Sequence, residues 1–327
     1  MKPEISVIIC THDRPQPLAA ALETLAQQRI DLCQVEVIVV ENSTSPASTE
    51  RLVDNFQPLL ANLRCLHEPR TGLSHARNRG WRAAQAAYVA YVDDDCKVPP
   101  QWLKVARQII VERQPAIFGG PFFAYYDKPK ALWYRDAYGS RHFGGSPRCL
   151  ADNETLFGGN LFVNRTCLEA LDGFAIDLGM SGRQIAYGED TVFQQELRKR
   201  YPDVSIYYDP ALFVYHLVRA EKISLSWSAR SFIAKGRFVQ IQESNGAGVL
   251  PHADAKIGME EALVRAAKLA IGILSDITIG LLTRDRARYP YFQNYLYEHT
   301  GQYLRGVGRL SARLQQRRES EPAKRTV

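Results

Sequence analysis

The first hundred residues alternate short β-rich runs with amphipathic segments, and this alternation constrains the fold more than any other feature of the sequence. The runs ISVIIC and VEVIVV, at Ile5–Cys10 and Val35–Val40, are typical of buried strands, and YVAYV at Tyr88–Val92 leads directly into three aspartates. Segments between these runs have helical spacing. Repeated βα units predict an α/β fold with a doubly wound, mostly parallel sheet. Ligands of such sheets bind at the carboxyl ends of the strands.

Composition and cysteine content exclude several classes of protein. Of the 327 residues, 46% are hydrophobic and 23% are charged, which is typical of a soluble globular protein. The six cysteines form no CxxC pair, so the sequence contains neither a zinc ribbon nor a redox motif. The N-terminus shows no long apolar run followed by small residues. We therefore predict no secretory signal and a cytoplasmic location.

Three consecutive aspartates, Asp93, Asp94 and Asp95, follow the strand predicted at Tyr88–Val92. Adjacent like charges repel one another and destabilise a fold unless a partner neutralises them. A divalent cation is a natural partner, because Mg²⁺ and Mn²⁺ bind one or two carboxylates together with substrate phosphates and water. The alternative is a solvated acidic turn, and the triplet alone leaves both interpretations open.

Three further motifs contain candidate site residues. In YGEDTVF, Glu189 and Asp190 open a predicted helix and form either an ordinary capping pair or a general base aimed into a cleft. In FVYH, His216 ends a predicted strand and is either a structural histidine or a third cation ligand. In GLSHARNRG, Arg77 and Asn78 lie on a helix leading toward the aspartates. They suit phosphate and sugar recognition, although a plain surface helix is the alternative.

In their order along the chain, these motifs resemble those of the family 2 glycosyltransferases from Ile5 to His216. The resembling segments are SVIICTHDRP, VEVIVVENST, GLSHARNRG, YVAYVDDDC, GGNLFVNR, LDGFAIDLG with GEDTVF, and YYDPALFVYH. The resemblance implies the Rossmann-like GT-A fold, a hexosyltransferase activity and a bound Mn²⁺ or Mg²⁺ ion. It also implies a GT-A domain over residues 1–222, with a nucleotide-binding half at 1–115 and an acceptor and catalytic half at 116–222.

The resemblance also implies a role for each candidate residue. Asp190 would be the catalytic base, supported by Glu189, and one displacement would invert the anomeric carbon. The nucleotide sugar, most commonly a UDP-sugar in this family, would contact Thr11, Asp13, Glu41, Arg77, Asn78, Asp93 and Asp94. The cation would be bound by Asp95, Asp93 and His216.

The chain departs from the family pattern in two ways. Glu196 stands where relatives usually carry an arginine, six residues after the ED aspartate. The QxxRW motif of processive polysaccharide synthases is absent from the expected region of the sequence. We therefore expect transfer of a single sugar, and the change at Glu196 leaves the assignments of base and metal ligands untouched.

Four residues are candidates for binding the acceptor. Trp133 and Tyr138 lie in an aromatic-rich, loop-like stretch, where they could stack on a sugar ring or equally form the core of a small insertion. Gly159 and Asn160 lie in GGNLFVNR, which precedes the substrate pocket in relatives. We expect a saccharide or lipid-linked acceptor from the synthesis of a cell-surface polysaccharide or exopolysaccharide.

The sequence after Ser224 is typical of helices, and we expect a helical extension over residues 223–318 and a disordered tail over 319–327. The stretch Ala266–Leu282 is apolar, but Lys268 and Asp276 interrupt it. Its uninterrupted apolar segments are too short to span a bilayer, so we predict an amphipathic helix that packs on the body or lies in a membrane interface.

Basic residues are concentrated at the end of the chain. Residues 284–327 contain ten Lys or Arg against four Asp or Glu, which accounts for the whole formal net charge of +6. Four arginines recur at a spacing of four and form one helical stripe: Arg305, Arg309, Arg313 and Arg317. A basic tail on a neutral body indicates peripheral contact with an anionic membrane at its inner face, with a plain solvated helix as the alternative.

Three other functions compete with sugar transfer. A nucleotidyltransferase acting on a sugar phosphate would usually carry a glycine-rich loop with Arg and Lys after the first strand, which THDRPQP lacks. A catalytically inactive nucleotide-sugar-binding module is disfavoured because both Asp95 and Asp190 are present. A nucleic-acid binder is disfavoured because the basic tail lacks an aromatic stacking platform, and we expect no nucleic-acid partner.

Overall fold

The structure is a computed structural model that describes residues 2–181, 185–244 and 258–320. The chain divides into two compact units, which we call the sheet unit and the helical unit. The sheet unit comprises Met1–Asp127, Asp136–Gln184 and Gly188–Val218. The helical unit comprises Lys128–Arg135, Ile185–Tyr187 and Arg219–Val327. The last segment of the helical unit begins at Arg219, and two short earlier segments also belong to this unit.

Eleven named strands build the sheet unit as the structure describes it. They are β1 (Ile5–Thr11), β2 (Val35–Glu41), β3 (Leu63–His67), β4 (Tyr88–Asp93), β5 (Cys96–Lys97), β6 (Ile117–Gly119), β7 (Phe122–Tyr125), β8 (Arg148–Cys149), β9 (Asn160–Asn164), β10 (Ile206–Tyr208) and β11 (Val214–Leu217). Eight of them form one sheet in the order β3-β2-β1-β4-β9-β6-β10-β8, and a smaller sheet has the order β5-β11-β7. Strands β1 to β4 are parallel to their neighbours within this set, whereas β9 runs antiparallel to β4 and β6.

Helices cover both faces of the large sheet. Those of the sheet unit are α1 (Pro15–Ala26), α2 (Ala47–Phe56), α3 (Leu73–Ala83), α4 (Trp102–Arg113), α5 (Arg165–Leu171) and α6 (Glu189–Arg200). One buried cluster joins alternate residues of β1 to α1, α2 and α4, and a second joins the opposite face to α3, α5 and α6. Both faces of β1 are therefore buried, as its continuous apolar run predicts for a parallel strand. The predicted α/β fold is confirmed.

Two local features of the sheet unit depend on contacts with segments distant in the sequence. The extended chain between Ile117 and Tyr125 is broken after Gly119, and its two parts, β6 and β7, belong to different sheets. Pro121 has no N–H, and a Cβ at Gly120 would meet the Leu212 carbonyl oxygen, so the ladder cannot continue there. Ser74 does not cap α3, because its hydroxyl donates to the Leu178 carbonyl 2.9 Å away.

The helical unit contains α7 (Leu225–Ser244), α8 (Met259–Thr283) and α9 (Phe292–Ser320). Residues 319 and 320, predicted to begin a disordered tail, are the last residues of α9, and 321–327 lie outside the described residues. The predicted arginine stripe lies on α9 but contacts α7. Arg305 stacks on Phe232 of α7. Arg309 lies 3.5 Å from a carboxylate oxygen of Glu243 of α7, and Arg313 donates to a glutamine of α7. The stripe thus contacts α7, although Arg305 and Arg309 remain exposed.

Candidate active site

The candidate site begins where three parallel strands of the large sheet end. The register pairs Thr11 of β1 with Glu41 of β2, and Cys10 of β1 with Asp93 of β4. Because the carboxyl ends of parallel strands meet at one edge, the turns after these strands lie side by side. The small sheet adds His216 of β11, which pairs with Cys96 directly after the acidic triplet.

The three aspartates have different environments. Asp93 is partly exposed, whereas Asp94 and Asp95 are buried. The guanidinium of Arg14 bridges the buried pair, with Nη1 2.6 Å from Asp94 and Nη2 2.7 Å from Asp95. The hydroxyl of Thr11 donates a further hydrogen bond of 2.7 Å to Asp94. Burial raises the pKa of Asp94 to about 7, and the positive charge of Arg14 opposes that rise.

These contacts show where two of the predicted donor-binding residues lie. Thr11 and Asp94 were expected to contact the nucleotide sugar, but each is almost completely buried and satisfied by the other. Together with Arg14 they fix the turn after β4. The conformation of this turn determines the direction of the flanking carboxylates, Asp93 and Asp95.

Asp95 lies next to His216, as expected of two ligands to one cation. Its Oδ1 is 3.3 Å from His216 Nε2, while Arg14 holds Oδ2. One donor atom each from Asp93, Asp95 and Cys96 lies within 4.8 Å of the others, and Cys96 was not predicted. Burial raises the pKa of the Cys96 thiol. Two carboxylates beside an imidazole are a donor set that fits Mn²⁺ or Mg²⁺.

Arg77 connects the acidic triplet to the ED motif. Its side chain is 3% exposed, and Nη1 donates to Glu189 at 2.7 Å while Nη2 lies 3.6 Å from Asp93. The guanidinium also stacks on the rings of Tyr91 and Phe174. Burial raises the pKa of Glu189 to about 7, and the charge of Arg77 opposes that rise. Two motifs almost a hundred residues apart therefore share one buried cation.

Asp190 has a different environment from Glu189. It is only partly buried, and its Oδ2 accepts a hydrogen bond of 2.7 Å from the backbone N–H of Gly158. Its Oδ1 accepts from the N–H of Thr191 at 2.7 Å. The two hydrogen bonds orient the carboxylate without enclosing it. Of the ED pair, Asp190 is thus the carboxylate that solvent and ligands can reach, whereas Glu189 is buried.

Two glycines lie against the charged side chains of Arg77, Asp190 and Asp93. A Cβ at Gly158 would lie 2.7 Å from Arg77 Nη2 and 2.9 Å from Asp190 Oδ2. A Cβ at Gly159 would lie 2.6 Å from Asp93 Oδ2. Since these distances are shorter than van der Waals contacts, a larger residue would displace the carboxylates. Gly159 was predicted as an acceptor contact, and the structure places it against Asp93.

Glu41 faces the protein interior. It is fully buried, and it accepts hydrogen bonds from the N–H groups of Asp13, at 3.2 Å, and Ser43, at 2.8 Å, and from the hydroxyl of Thr49. These contacts are all with protein groups, and the contact of Glu41 with the nucleotide sugar stays a prediction. Glu41 fixes the turn after β1, where Asp13 has φ of 51° and an exposed side chain. Asp13 remains available to a ligand at this edge.

Two asparagines predicted to contact ligands are bonded to protein groups. The side-chain amide of Asn78 pairs with the backbone of Phe174, donating to its carbonyl and accepting from its N–H, both at 2.8 Å. Asn160 is completely buried and donates to the carbonyls of Pro121 and Leu212. Both amides are buried and bind protein groups, which stabilises the loops that contain Phe174 and Leu212.

The two aromatic acceptor candidates lie in different units. Trp133 belongs to the helical unit, where it is buried against the rings of Tyr134 and Tyr297. Of the two alternatives left open by the sequence, packing is therefore the one that applies to Trp133. Tyr138 belongs to the sheet unit, ends the 3₁₀ turn Asp136–Tyr138 and is partly buried.

Sequence reasoning missed Arg14 and Gly158. Arg14 directly precedes α1 in the THDRP segment, and its positive charge next to a predicted strand end was the available signal. Three adjacent carboxylates require a counter-charge, but the sequence alone does not show which of many arginines supplies it. Gly158 is the first residue of GGN and could have been linked to a close backbone approach.

A cleft of about 470 Å³ lies elsewhere in the sheet unit, beside α3 and α6. Its lining includes Asn78, Arg82 and Glu196, but not the acidic triplet or Asp190. Glu196, the departure from the family pattern, is 2.9 Å from the ammonium of Lys199 on the same helix. The glutamate that stands here in place of an arginine therefore contacts a neighbour on α6, and no ion pair in the described part of the chain links it to the candidate site residues.

Comparison with known proteins identifies the family. The sequence model of the family described as Glycosyl transferase family 2 matches residues 6–171, half of the chain. The chain belongs to glycosyl transferase family 2. This glycosyltransferase is 27% identical over 236 residues to the succinoglycan biosynthesis protein ExoM of Rhizobium meliloti, covering 71% of this chain and 73% of ExoM. It is also 32% identical over 118 residues to a chondroitin synthase of Escherichia coli, covering 35% of this chain and 17% of the synthase.

Solved structures resemble the glycosyltransferase over nearly its whole length. The mannosyltransferase PcManGT from Pyrobaculum calidifontis, solved with GDP-Man and Mn²⁺, has a TM-score of 0.62 at 19% identity and covers 98% of this chain and 89% of its own. Residues 1–349 of S. aureus TarS, solved with UDP-GlcNAc, have a TM-score of 0.54 at 17% identity, covering 97% and 92%. At these identities the likeness concerns the fold, and it confirms the GT-A architecture.

Proposed function

We propose that this family 2 glycosyltransferase is a metal-dependent, inverting enzyme that transfers one sugar from a nucleotide sugar to a hydroxyl of a saccharide or lipid-linked acceptor. The observation that carries the proposal is that the buried Arg77 joins Asp93 of the acidic triplet to Glu189 of the ED motif. Asp95 of the same triplet lies beside His216, and Asp190 follows Glu189 with its carboxylate only partly buried. A UDP-sugar is the proposed donor. TarS was solved with UDP-GlcNAc, and PcManGT with GDP-Man, so both bases occur among proteins of this fold.

The proposed cation site consists of Asp93, Asp95 and His216, which would hold Mn²⁺ or Mg²⁺. When bound, the cation supplies positive charge that stabilises the diphosphate as it leaves. Arg14 keeps one oxygen of Asp95 occupied, so the other oxygen stays directed toward His216. Among the residues first considered for the donor, Asp13, Arg77 and Asp93 remain in this proposal.

Asp190 is the proposed general base. Its carboxylate is reachable and is oriented by two backbone N–H groups, which leaves lone pairs free to accept a proton from an acceptor hydroxyl. The hydroxyl then attacks the anomeric carbon as its proton moves to Asp190, and the bond to the diphosphate breaks. Glu189 holds Arg77 in place and does not exchange protons with the acceptor. One displacement without a covalent enzyme intermediate inverts the anomeric configuration.

The acceptor class and the location are proposed from the relatives. ExoM is named for succinoglycan biosynthesis, which supports a role in exopolysaccharide or cell-surface polysaccharide assembly. Such assembly uses nucleotide sugars, and we place the enzyme in the cytoplasm, peripheral to the inner face of the cell membrane. Lipid-linked acceptors would be presented at that face.

The test is a thermal-shift panel of UDP- and GDP-sugars, with and without Mn²⁺, followed by turnover with the donor that binds. One donor should stabilise the protein only in the presence of Mn²⁺, by about 2.7 kcal/mol at a hundred times its dissociation constant. Asp95→Asn should abolish that shift. Asp190→Asn should retain it but lose about 10²- to 10⁴-fold in turnover.

Glu112→Gln is the matched control, because Glu112 is an exposed carboxylate on α4, outside the candidate site. It should behave as the unmodified enzyme in both assays. Full turnover by Asp190→Asn would remove the proposed base. Stabilisation by a donor in the absence of any divalent cation, unchanged in Asp95→Asn, would remove the proposed metal dependence.

A further inference from the structure

The longest apolar surface in the described helical unit lies on α8. This helix runs without interruption for 25 residues, about 37 Å at 1.5 Å per residue. By length and composition alone it could cross a membrane, so the prediction that its apolar segments are too short does not hold. Large aliphatic side chains on it are strongly exposed, with Ile271 and Leu274 at 62% and Leu282 at 78%.

One side of α8 packs on α9. A Cβ at Gly272 would meet the ring of Tyr303, and a Cβ at Gly280 would meet the ring of Tyr295, so the two helices approach closely. Ala262 is buried at the other end of the same side. These positions recur at intervals of eight to ten residues, which places them on one helix face. The opposite face of α8 is therefore turned away from α9.

That opposite face is apolar from end to end. At 100° per residue, its large residues fall within an arc of about 100° and extend over about 28 Å. They are Leu263, Val264, Ile271, Leu274, Leu281 and Leu282. The other positions of this arc between Leu263 and Leu282 are an alanine and a threonine, and none is charged. We call these six residues the α8 apolar face.

The composition of this face fits lipid better than a protein partner. Protein interfaces are enriched in Tyr, Trp, Phe, Met and Arg, whereas the α8 apolar face is aliphatic throughout. Aromatic and basic residues follow immediately after the helix in RDRARYPYF, where Arg286 and Tyr291 are exposed. Lys268 is also exposed and borders the arc. Arginine and tyrosine at the end of an apolar helix are typical of the membrane–water interface, and basic residues match anionic headgroups.

The packing of α9 decides the orientation of α8 relative to a membrane. Contacts from Leu269 to Gly280 hold α9 along the middle of α8. If α8 crossed the bilayer, Glu298 and Arg305 of α9 would enter the hydrocarbon with it, at a prohibitive cost. Asp276 also lies on the packed side, away from the apolar face. Helix α8 is thus suited to lie in the plane of the interface.

We propose that the α8 apolar face is a membrane-docking surface that inserts into the headgroup and acyl boundary of an anionic leaflet. The attachment is peripheral, because one face of one helix is buried in lipid while α9 stays in water. It adds an apolar surface to the basic residues of α9, of which Arg305 and Arg309 are exposed. The inference names the surface by which the proposed enzyme would reach its membrane, but it does not depend on the donor, the metal or the base.

The test is flotation of the purified full chain with vesicles of phosphatidylcholine, alone or with 30% phosphatidylglycerol. The unmodified chain should float with the anionic vesicles and less with the neutral ones. The triple variant Ile271→Gln, Leu274→Gln, Leu282→Gln should lose at least about tenfold in partition coefficient, because three inserted side chains become polar. The double variant Lys268→Gln, Arg286→Gln should lose the preference for anionic vesicles.

The matched control replaces Leu59, Val111 and Leu132 by Gln, since these residues are as exposed but lie outside α8. It should float as the unmodified chain does, and circular dichroism should be unchanged in all variants. No flotation of the unmodified chain, or equal flotation of the α8 triple variant, would overturn the proposal. Light scattering tests the alternative that a second copy of the chain covers the face. If the unmodified chain and the control are dimers and the α8 triple variant is a monomer, the proposal is overturned. Donor turnover in solution is measured on the same samples. A chain that turns over donor but does not float contradicts only the docking surface, whereas a chain that floats without turnover contradicts only the proposed sugar transfer.

Discussion

Removal of the Arg14 guanidinium should destabilise the sheet unit, and the loss should increase with pH. Arg14 is the cation that touches both buried carboxylates of the acidic triplet, at 2.6 and 2.7 Å. In Arg14→Gln, Asp94 keeps only the hydroxyl of Thr11 among these contacts. Removing one partner of a buried pair commonly costs about 3–5 kcal/mol. The Arg14 side chain is 26% exposed, so we reduce the expected loss to about 2 kcal/mol at neutral pH.

The pH dependence follows from the pKa of Asp94. Burial raises it to about 7 and Arg14 lowers it, so the pKa of Asp94 rises further when Arg14 is removed. Below pH 7 Asp94 is protonated in both proteins, and the variant loses little from this group. Above pH 7 the unmodified protein ionises Asp94 beside Arg14, whereas the variant retains the proton or buries an unpaired charge. The deficit in unfolding free energy should therefore grow by up to about 1.4 kcal/mol per pH unit between pH 7 and the new pKa.

The assay is urea unfolding at pH 6, 7, 8 and 9 with a chelator present, followed by tryptophan fluorescence, which reports on the sheet unit through Trp81 and Trp102. Arg14→Lys is the informative second variant, because a single ammonium cannot bridge two carboxylates as a planar guanidinium does. Its deficit should be intermediate. A deficit in Arg14→Gln that is constant from pH 6 to 9, or that shrinks as pH rises, would refute the reasoning.

Three more predictions concern the neighbouring groups. Gly159→Ala places a Cβ 2.6 Å from Asp93 Oδ2 and should weaken Mn²⁺ activation of turnover by about 10- to 100-fold. Gly145→Ala is the control, because no atom lies within 4 Å of its Cβ, and it should leave Mn²⁺ activation unchanged. Arg77→Lys should destabilise by about 3 kcal/mol in urea unfolding, because one ammonium cannot serve Glu189 and Asp93 together; an unchanged midpoint would show that the guanidinium bridge is dispensable. The pKa of Glu189 is raised to about 7, so the cation-free protein should lose stability as pH rises from 4.5 to 7, and Glu189→Gln should make that decline shallower.

The fold was predictable because its signals are local. Continuous apolar runs at Ile5–Cys10 and Val35–Val40 identify strands buried on both faces, and the segments between them have helical spacing. Parallel strands then bring Asp93 and its neighbours to one edge. The family motifs identified the ED pair and His216 as parts of the same site, and the structure brings His216 next to Asp95.

The direction of individual side chains was not predictable, because it depends on contacts between distant segments. Glu41 and Asp93 both end parallel strands, yet Glu41 turns inward to Thr49 whereas Asp93 stays partly exposed. Arg77 and Asn78 are adjacent on α3, and the 100° between them sends one to the ED motif and the other to the loop after α5. No local pattern in the sequence distinguishes the members of such pairs.

The turn that contains Asp94 has a consequence for how this enzyme tolerates mutation. It lies between β4 of the large sheet and β5 of the small sheet, so it sets the distance between Asp93 on one sheet and His216 on the other. A change that shifts this turn moves two proposed ligands relative to each other without touching either. In a saturation mutagenesis experiment, the middle aspartate, which is buried, should therefore be as intolerant of substitution as a core leucine. Loss of activity on substitution of Asp94 would then reflect misalignment of the two sheets. Loss of activity on substitution of Asp93 or Asp95 would reflect loss of a proposed cation ligand.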